Sequence, residues 1–282
     1  MSAVVVNYKA CGPLLACVDS LRDEGVGQVV VVDNASGDGA EAALAAADPA
    51  AVFVATGSNL GYGGAANRGA AVATGSMLLV CNPDLVVGRG CVAALVAALD
   101  ADQRLALVGP RIDDPDGGLY PSPRRFPGVG VALGHAFLGL VAPRNRFTRA
   151  YRMLDWDHDR AGPADWVSGS CFLARRTAWD ALGGFDESYF MYAEDVDLCW
   201  RAWKSGWSVG FEPAGRVVHT KGASTDLAPY RMIVQHHRSL LRFFARTSRP
   251  AERPLLPLVT AGLVVRAALA CAQRGLSAWR AR

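Results

Sequence analysis

Residues 28–38 read QVVVVDNASGD. Four successive valines form a β-branched run too short and too uniformly apolar for an amphipathic helix, and Asp-Asn-Ala-Ser-Gly closes it with turn-forming residues. A strand this apolar is buried on both faces, as in a parallel sheet covered by helices. Working outward, similar runs recur at Ala3–Val6, Val52–Ala55, Met77–Cys81 and Leu105–Val108. Between them Pro13–Glu24, Ala40–Ala47, Tyr62–Ala73 and Cys91–Leu99 carry helical spacing, with Gly25 and Gly75 as stops. The alternation predicts an α/β fold: a doubly wound, mostly parallel sheet with helices on both faces. Its ligands belong at the carboxyl ends of the strands.

The regular pattern stops at Pro110. Residues 110–165 hold seven prolines among scattered Arg and Asp, which predicts long loops around a short helix near Val131–Val141. Order resumes with a strand at Trp166–Ala174, a helix from Glu194 to about Lys204, and strands Ser208–Phe211 and Arg216–His219. A helical tail follows. Its Tyr230, Ile233, Val234, His237, Leu240, Leu241 and Phe244 form one stripe, and Arg231, Arg238, Arg242 and Arg246 another. Leu255–Ala272 is apolar but contains Pro257 and Arg266, so it reads as an interfacial helix and not a span.

Half of the 282 residues are hydrophobic and 20% are charged, which excludes a disordered chain. The net charge of +3 is uneven: from Arg231 onward ten arginines face one acid, Glu252, giving +9 and leaving −6 for the rest. A basic tail on a mildly acidic body points to an anionic partner. The seven cysteines form no CxxC pair and fall mostly in apolar runs, which predicts reduced, buried thiols and argues against structural zinc. MSAVVVNYK has no signal-peptide pattern, so a cytoplasmic location is expected.

Four clusters carry candidate chemistry. Asp33 closes the valine strand, where a carboxylate can hold a base or ribose, or serve simply as a turn cap. NLGYGGAANRG, residues 59–69, places glycines at a helix start that favours phosphate. It also matches a dinucleotide fingerprint, but the preceding strand ends at Ala55, well before Gly61, and is third in the chain. In LLVCNPD, Asn82 and Asp84 flank Pro83 in an extended turn, so both side chains can face one cation or diphosphate; a plain strand-end turn reads equally well. In GGFDESYFMYAEDVDLCWRAWKSGW, residues 183–207, Glu194, Asp195 and Asp197 crowd a helix start. Capping accounts for the acids, but not for Phe185, Tyr189, Phe190, Met191 and Tyr192 ahead of them. Such a wall would desolvate a carboxylate and prepare a general base. His219 ends the strand RVVH; His135, His158, His236 and His237 read as surface or helix residues.

Together with VVNY (5–8), VSGSCFLARR (167–176) and RVVHTKGAS, these motifs resemble the family 2 glycosyltransferases, in particular their bacterial rhamnosyltransferase-like branch. The resemblance implies a GT-A fold. It implies that Val6, Asn7, Tyr8 and Asp33 hold the nucleotide base and ribose. Asn59, Gly61, Asn67, Arg68 and Asn82 would then line the nucleotide and diphosphate. Asp195 would be the catalytic base, and Asp84 and His219 ligands of Mg²⁺ or Mn²⁺. Asn82 stands where the family's DxD motif has its first acid, which leaves one protein carboxylate for the metal.

The expected activity is inverting transfer of a sugar from a nucleoside-diphosphate donor to a lipid-linked saccharide, favouring L-rhamnose from dTDP-L-rhamnose and a polyprenyl-diphosphate-linked acceptor. Galactofuranose, hexosamine or mannose nucleotides are the alternative donors. A sugar-1-phosphate nucleotidyltransferase would want a basic, Gly-rich loop after the first strand, and NYKACGP offers one Lys and one Gly. A non-catalytic scaffold would lack the base or metal residues. Residues 1–110 would form the donor half, 111–225 the acceptor and catalytic half, and 226–282 a tail on anionic membrane at the inner face of the plasma membrane. No nucleic-acid motif accompanies the basic tail, so no nucleic-acid partner is expected.

Overall fold

The computed structural model describes residues 1–280 except 127, 129, 132, 133, 135–137, 139–141, 143, 152, 155 and 221–227. The elements run β1 (Ser2–Asn7), α1 (Cys11–Asp23), β2 (Gln28–Asp33), α2 (Ala40–Ala47), β3 (Val52–Ala55), α3 (Gly61–Val72), β4 (Met77–Cys81), β5 (Leu85–Val87), α4 (Cys91–Ala101) and β6 (Leu105–Asp113). They continue with β7 (Leu119–Tyr120), α5 (Arg146–Tyr151), β8 (Gly162–Pro163), β9 (Cys171–Arg175), α6 (Arg176–Leu182) and α7 (Glu194–Lys204). The chain closes with β10 (Ser208–His219), α8 (Pro229–Thr247), a 3₁₀ turn (Pro250–Leu255) and α9 (Leu256–Arg280). The short helix expected near Val131–Val141, with His135, falls largely outside the described residues.

One sheet, ordered β3-β2-β1-β4-β9-β6-β10-β5, organises the molecule. β1 lies parallel to β2 on one side and to β4 on the other, which opens the crevice at its carboxyl end. Alternate side chains of β1 feed two cores. Val4 and Val6 join Ala65 and Ala66 of α3 on one face. Ala3 and Val5 join Leu14 of α1, Leu44 of α2 and Leu95 of α4 on the other. Burial on both faces is why the strands read as continuous apolar runs.

The second half of the sheet differs from expectation. β6 does not extend the parallel array beside β4, because β9 inserts between them and pairs antiparallel with both. The strand of the VSGSCFLARR segment is only Cys171–Arg175. The two strands expected at Ser208–Phe211 and Arg216–His219 are one strand, bulged between Glu212 and Arg216. β5, which has no counterpart in the sequence reading, pairs antiparallel with the end of β10 and sets His219 opposite Leu85. All seven cysteines are free thiols.

The tail also departs from its helical-wheel reading. Tyr230 and Val234 of the expected apolar stripe are exposed, whereas Phe243 enters the main core and Phe244 packs on Val259 and Leu263 of α9. Pro257 sits in the first turn of α9, where its missing N–H costs no hydrogen bond, so the helix is not interrupted. The stretch Pro250–Gly275, read above as interfacial, passes by length and composition alone for a helix that could cross a membrane.

Gly61 fixes how α3 meets the segment before α7. Its φ is +80°, and a Cβ there would overlap the Phe190 carbonyl oxygen. That oxygen accepts the Tyr62 N–H at 3.0 Å. Gly61→Ala is therefore expected to lower stability by about 3 kcal/mol or more, since neither backbone can retreat. Urea unfolding followed by circular dichroism checks this; a midpoint within error of wild type would refute it.

Candidate active site

A cleft of about 380 Å³ opens at the carboxyl ends of β1, β2 and β4. Of the residues singled out in the sequence, Val6, Tyr8, Asn59, Asn82, Asp84, Asp195 and His219 wall it. Asn7, Asp33, Gly61, Asn67 and Arg68 do not. Asn7 donates through Nδ2 to Asp33 at 2.9 Å, and the other Asp33 oxygen accepts the Ser36 N–H at 3.0 Å. Asp33 thus closes the turn after β2 but does not cap α2, whose N-cap is Gly39, and the Asn7–Asp33 pair braces the ends of β1 and β2.

Asn67 is a clamp between α3 and the later chain. It donates to the Phe185 carbonyl at 2.9 Å and accepts the Phe185 N–H at 3.0 Å. Arg68 is exposed on α3. The glycines at 61 and 63 serve packing, because a Cβ on Gly63 would press on Phe185 at 2.9 Å. These glycines are thus required by close packing at the start of α3.

Asn34, not singled out in the sequence, also walls the cleft. Its amide donates to Asn59 and to the Gly61 carbonyl, both at 3.1 Å, and its oxygen accepts the Leu60 N–H at 2.8 Å. It thereby joins the turn after β2 to the loop before α3. Backbone strain gathers at the same end of the sheet: Lys9, Ala35, Tyr192 and Ala193 all take positive φ without being glycine.

Tyr192 and Ala193 lead directly into Glu194 and Asp195. The strained turn is held from both sides, by the Tyr62 N–H on Phe190 and by Ser239 Oγ donating to the Met191 carbonyl at 2.9 Å. The aromatic run does not form one wall over Asp195. Phe185 and Tyr189 belong to the core, and only Met191 and Tyr192 reach the cleft. Asp197 is buried and bound by Arg201 Nε at 2.6 Å, a brace within α7.

α7 presents two carboxylates to the cleft, Glu194 and Asp195, and Asp195 is the one held by backbone N–H groups from two segments. Oδ2 accepts the Gly169 N–H at 2.8 Å and Oδ1 the Val196 N–H at 2.9 Å. The Gly169 carbonyl in turn accepts the Tyr62 hydroxyl at 2.7 Å. Burial pushes the Asp195 carboxyl above its ordinary range, while the Gly169 and Val196 N–H groups and the Arg124 charge pull it back. Gly169 allows this approach, since a Cβ would sit 3.1 Å from that of Asp195.

Arg124, Trp166 and Tyr62 are cleft residues that the sequence reading did not select. Arg124 stacks over the Trp166 ring at 5.0 Å and the Tyr120 ring at 5.1 Å. The backbones of Arg124 and Trp166 also bridge. No periodicity in residues 110–165 announces this, because the contact is wholly tertiary. His236 and His237 lie on helix α8, as one expectation had it; His236 walls the cleft, and His158 and His237 are buried, not on the surface.

Glu194 is 6% exposed with Oε2 unpartnered, and burial followed by the Asp195 charge drives its carboxyl well above the usual range. The folded chain therefore holds this proton more tightly than the unfolded one. Stability is full below the unfolded carboxyl pKa of about 4.3 and is lost as pH rises toward the folded value. Glu194→Gln is expected to raise Tm at neutral pH, with the gain vanishing near about pH 4. Melting curves across pH decide it; an equal Tm at neutral pH would show that the carboxyl is relieved otherwise.

Asp84, His219 and Asn82 form the cleft's second polar group. His219 Nε2 lies 3.0 Å from Asp84 Oδ1 and 3.3 Å from Asn82 Nδ2, and Asp84 and His219 are both nearly buried. Among the described residues His219 Nδ1 has no hydrogen-bond partner. A carboxylate and an imidazole meeting at one point fit a divalent cation, although the described residues contain no cluster of three such ligands.

A family model described as glycosyl transferase family 2 matches residues 2–180, and one described as glycosyl transferase family group 2 matches residues 141–274. Over 238 residues the chain is 41% identical to the N-acetylglucosaminyl-diphospho-decaprenol L-rhamnosyltransferase of Mycobacterium tuberculosis, covering 80% of this chain and 77% of the relative. A mannosyltransferase from Pyrobaculum calidifontis, in complex with GDP-Man and Mn²⁺, superposes with a TM-score of 0.60 at 20% identity, over 98% of this chain and 74% of that one. Glucosyl-3-phosphoglycerate synthase from Mycobacterium tuberculosis gives 0.58 at 17% identity, over 88% and 78%.

Proposed function

Because the chain belongs to glycosyl transferase family 2, we propose that it transfers L-rhamnose from dTDP-L-rhamnose to a polyprenyl-diphosphate-linked N-acetylglucosamine. The name of the mycobacterial relative supports the sugar and the acceptor. The observation that carries the chemistry is Asp195, a raised carboxylate held by two N–H groups at the edge of the cleft that also contains Asp84 and His219. An acceptor hydroxyl placed there gives its proton to Asp195 as its oxygen bonds to the anomeric carbon. The bond from that carbon to the donor diphosphate breaks on the opposite face, and one displacement inverts the configuration.

Asp84 and His219 would hold Mg²⁺ or Mn²⁺, with Asn82 beside them. A bound cation supplies positive charge against the leaving diphosphate. One protein carboxylate leaves most of the coordination to the donor. Val6, Tyr8, Asn34 and Asn59 form the base and ribose side of the cleft, with Asp33 and Asn7 bracing it from behind. Residues 1–110 thus act as the donor half and 111–225 as the catalytic half of one sheet. Residues 226–282 form the tail, whose exposed Leu258, Val264 and Val265 suit the cytoplasmic surface of the plasma membrane.

The test is a donor panel with a short-chain prenyl-diphosphate N-acetylglucosamine acceptor. Release of dTDP and a rhamnosylated lipid are expected with dTDP-L-rhamnose alone. Turnover with a galactofuranose, hexosamine or mannose nucleotide instead would transfer the assignment to that donor.

A further inference from the structure

A second cavity, of about 570 Å³, lies on the other side of α8 from the catalytic cleft. Ser188, Phe190 and Gln235 wall it together with Arg238, Arg242 and Arg246. The three arginines stand four residues apart on one helical face, where like charges at that spacing repel. Arg246 pairs with Asp186. Arg242 lies over the Tyr189 ring at 5.9 Å, and among the described residues no carboxylate pairs with it or with Arg238. A segment carrying +9 therefore concentrates two uncompensated guanidinium groups at a hollow lined with hydroxyl, amide and aromatic groups. Guanidinium forks match phosphate oxygens in pairs, which a lone ammonium cannot do.

The place of the cavity narrows the ligand. Ser188–Tyr192 is the partition: Phe190 faces the cavity, while Met191 and Tyr192 face the cleft. Ser239 of α8 holds that partition through the Met191 carbonyl. α8 also gives His236 and Leu240 to the cleft and packs against α9, whose Leu258, Val264 and Val265 are exposed. Phosphate-binding groups thus stand between the reaction centre and an exposed apolar helix.

We propose that this cavity is an anion subsite, distinct from the donor cleft, for the phosphate-bearing head of a lipid. That the lipid is the acceptor, with its diphosphate, rests on the lipid-linked acceptor assigned above; the anion subsite itself does not. A bilayer phospholipid offers the same chemistry.

The experiment compares the full chain with Arg238→Ala/Arg242→Ala and with Arg238→Lys/Arg242→Lys, leaving the Arg246–Asp186 pair intact. One arm measures binding of radiolabelled farnesyl diphosphate with dTDP saturating the donor cleft. The other measures co-sedimentation with phosphatidylcholine vesicles, with and without phosphatidylglycerol, across a salt series. The alanine variant is expected to bind at least about tenfold more weakly in one arm, with an unchanged melting curve and unchanged dTDP affinity, and the lysine variant to fall between. A loss with farnesyl diphosphate identifies the acceptor diphosphate; a loss confined to anionic vesicles identifies the bilayer headgroup. Equal binding by wild type and alanine variant in both arms, or no binding by wild type in either, overturns the subsite. Should no donor support transfer while farnesyl diphosphate binding still depends on the arginines, the proposed function fails and the subsite stands.

Discussion

Asp195→Asn is expected to lower kcat by about a thousandfold, because a positioned general base contributes on the order of 10² to 10⁴ and the neighbouring Glu194, whose carboxyl burial holds well above the usual range, is a poorer base at neutral pH. The substitution preserves shape. Oδ1 of an asparagine can still accept the Val196 or Gly169 N–H, so the start of α7 should keep its geometry. Donor affinity should therefore stay within a few-fold of wild type, since the base acts on the acceptor in the transition state. The pH profile gives a second reading. Burial raises the Asp195 carboxyl, the protonated acid cannot act as base, and activity must climb with pH through that raised value. The residual activity of the variant should lose this acidic limb. Rapid-quench turnover and dTDP titration test both points, and near-normal kcat in the variant would remove Asp195 from the reaction.

Asp84→Ala should act on the donor instead. The residue is nearly buried at the cleft wall, and its Oδ1 is the oxygen that His219 Nε2 approaches at 3.0 Å. Removing the only carboxylate of the group leaves an amide and an imidazole, a poor set for a hard cation. Donor affinity is expected to fall at least about tenfold, since changing even an outer-shell partner of a metal ligand costs about ten- to a hundredfold, and stimulation by Mg²⁺ or Mn²⁺ to disappear. Calorimetric titration of dTDP with each cation and with chelator measures both. If the variant binds dTDP as wild type does, and chelator leaves wild type unaffected, Asp84 is only a turn residue that anchors His219.

Much of this arrangement was legible in local sequence. The valine run at Val29–Val32 and its repeats fixed the parallel half of the sheet, since strands buried on both faces must be apolar throughout. The strand ends placed Tyr8, Asn34 and Asp84 at one edge, because a doubly wound sheet presents its carboxyl ends together. Glu194–Lys204 was readable as a helix opening on acids, and Asp195 as its candidate base. The glycines of NLGYGG were visible as a close approach, but not what they approach. Phosphate and the Phe190 carbonyl both require a missing side chain, and composition cannot tell them apart.

What the sequence determined by itself is therefore periodicity: which segments are strands or helices, and which polar residues stand at their ends. Tertiary structure alone decided the partners. β9 enters between β4 and β6, and β5 pairs with β10, so His219 meets Asp84 across 135 residues. Arg124 reaches the Asp195 cleft from a segment with no pattern, and α8 turns its arginines toward Ser188 and Phe190. Local propensity reports the conformation of a few neighbouring residues, whereas these contacts follow from the order in which distant strands share one sheet.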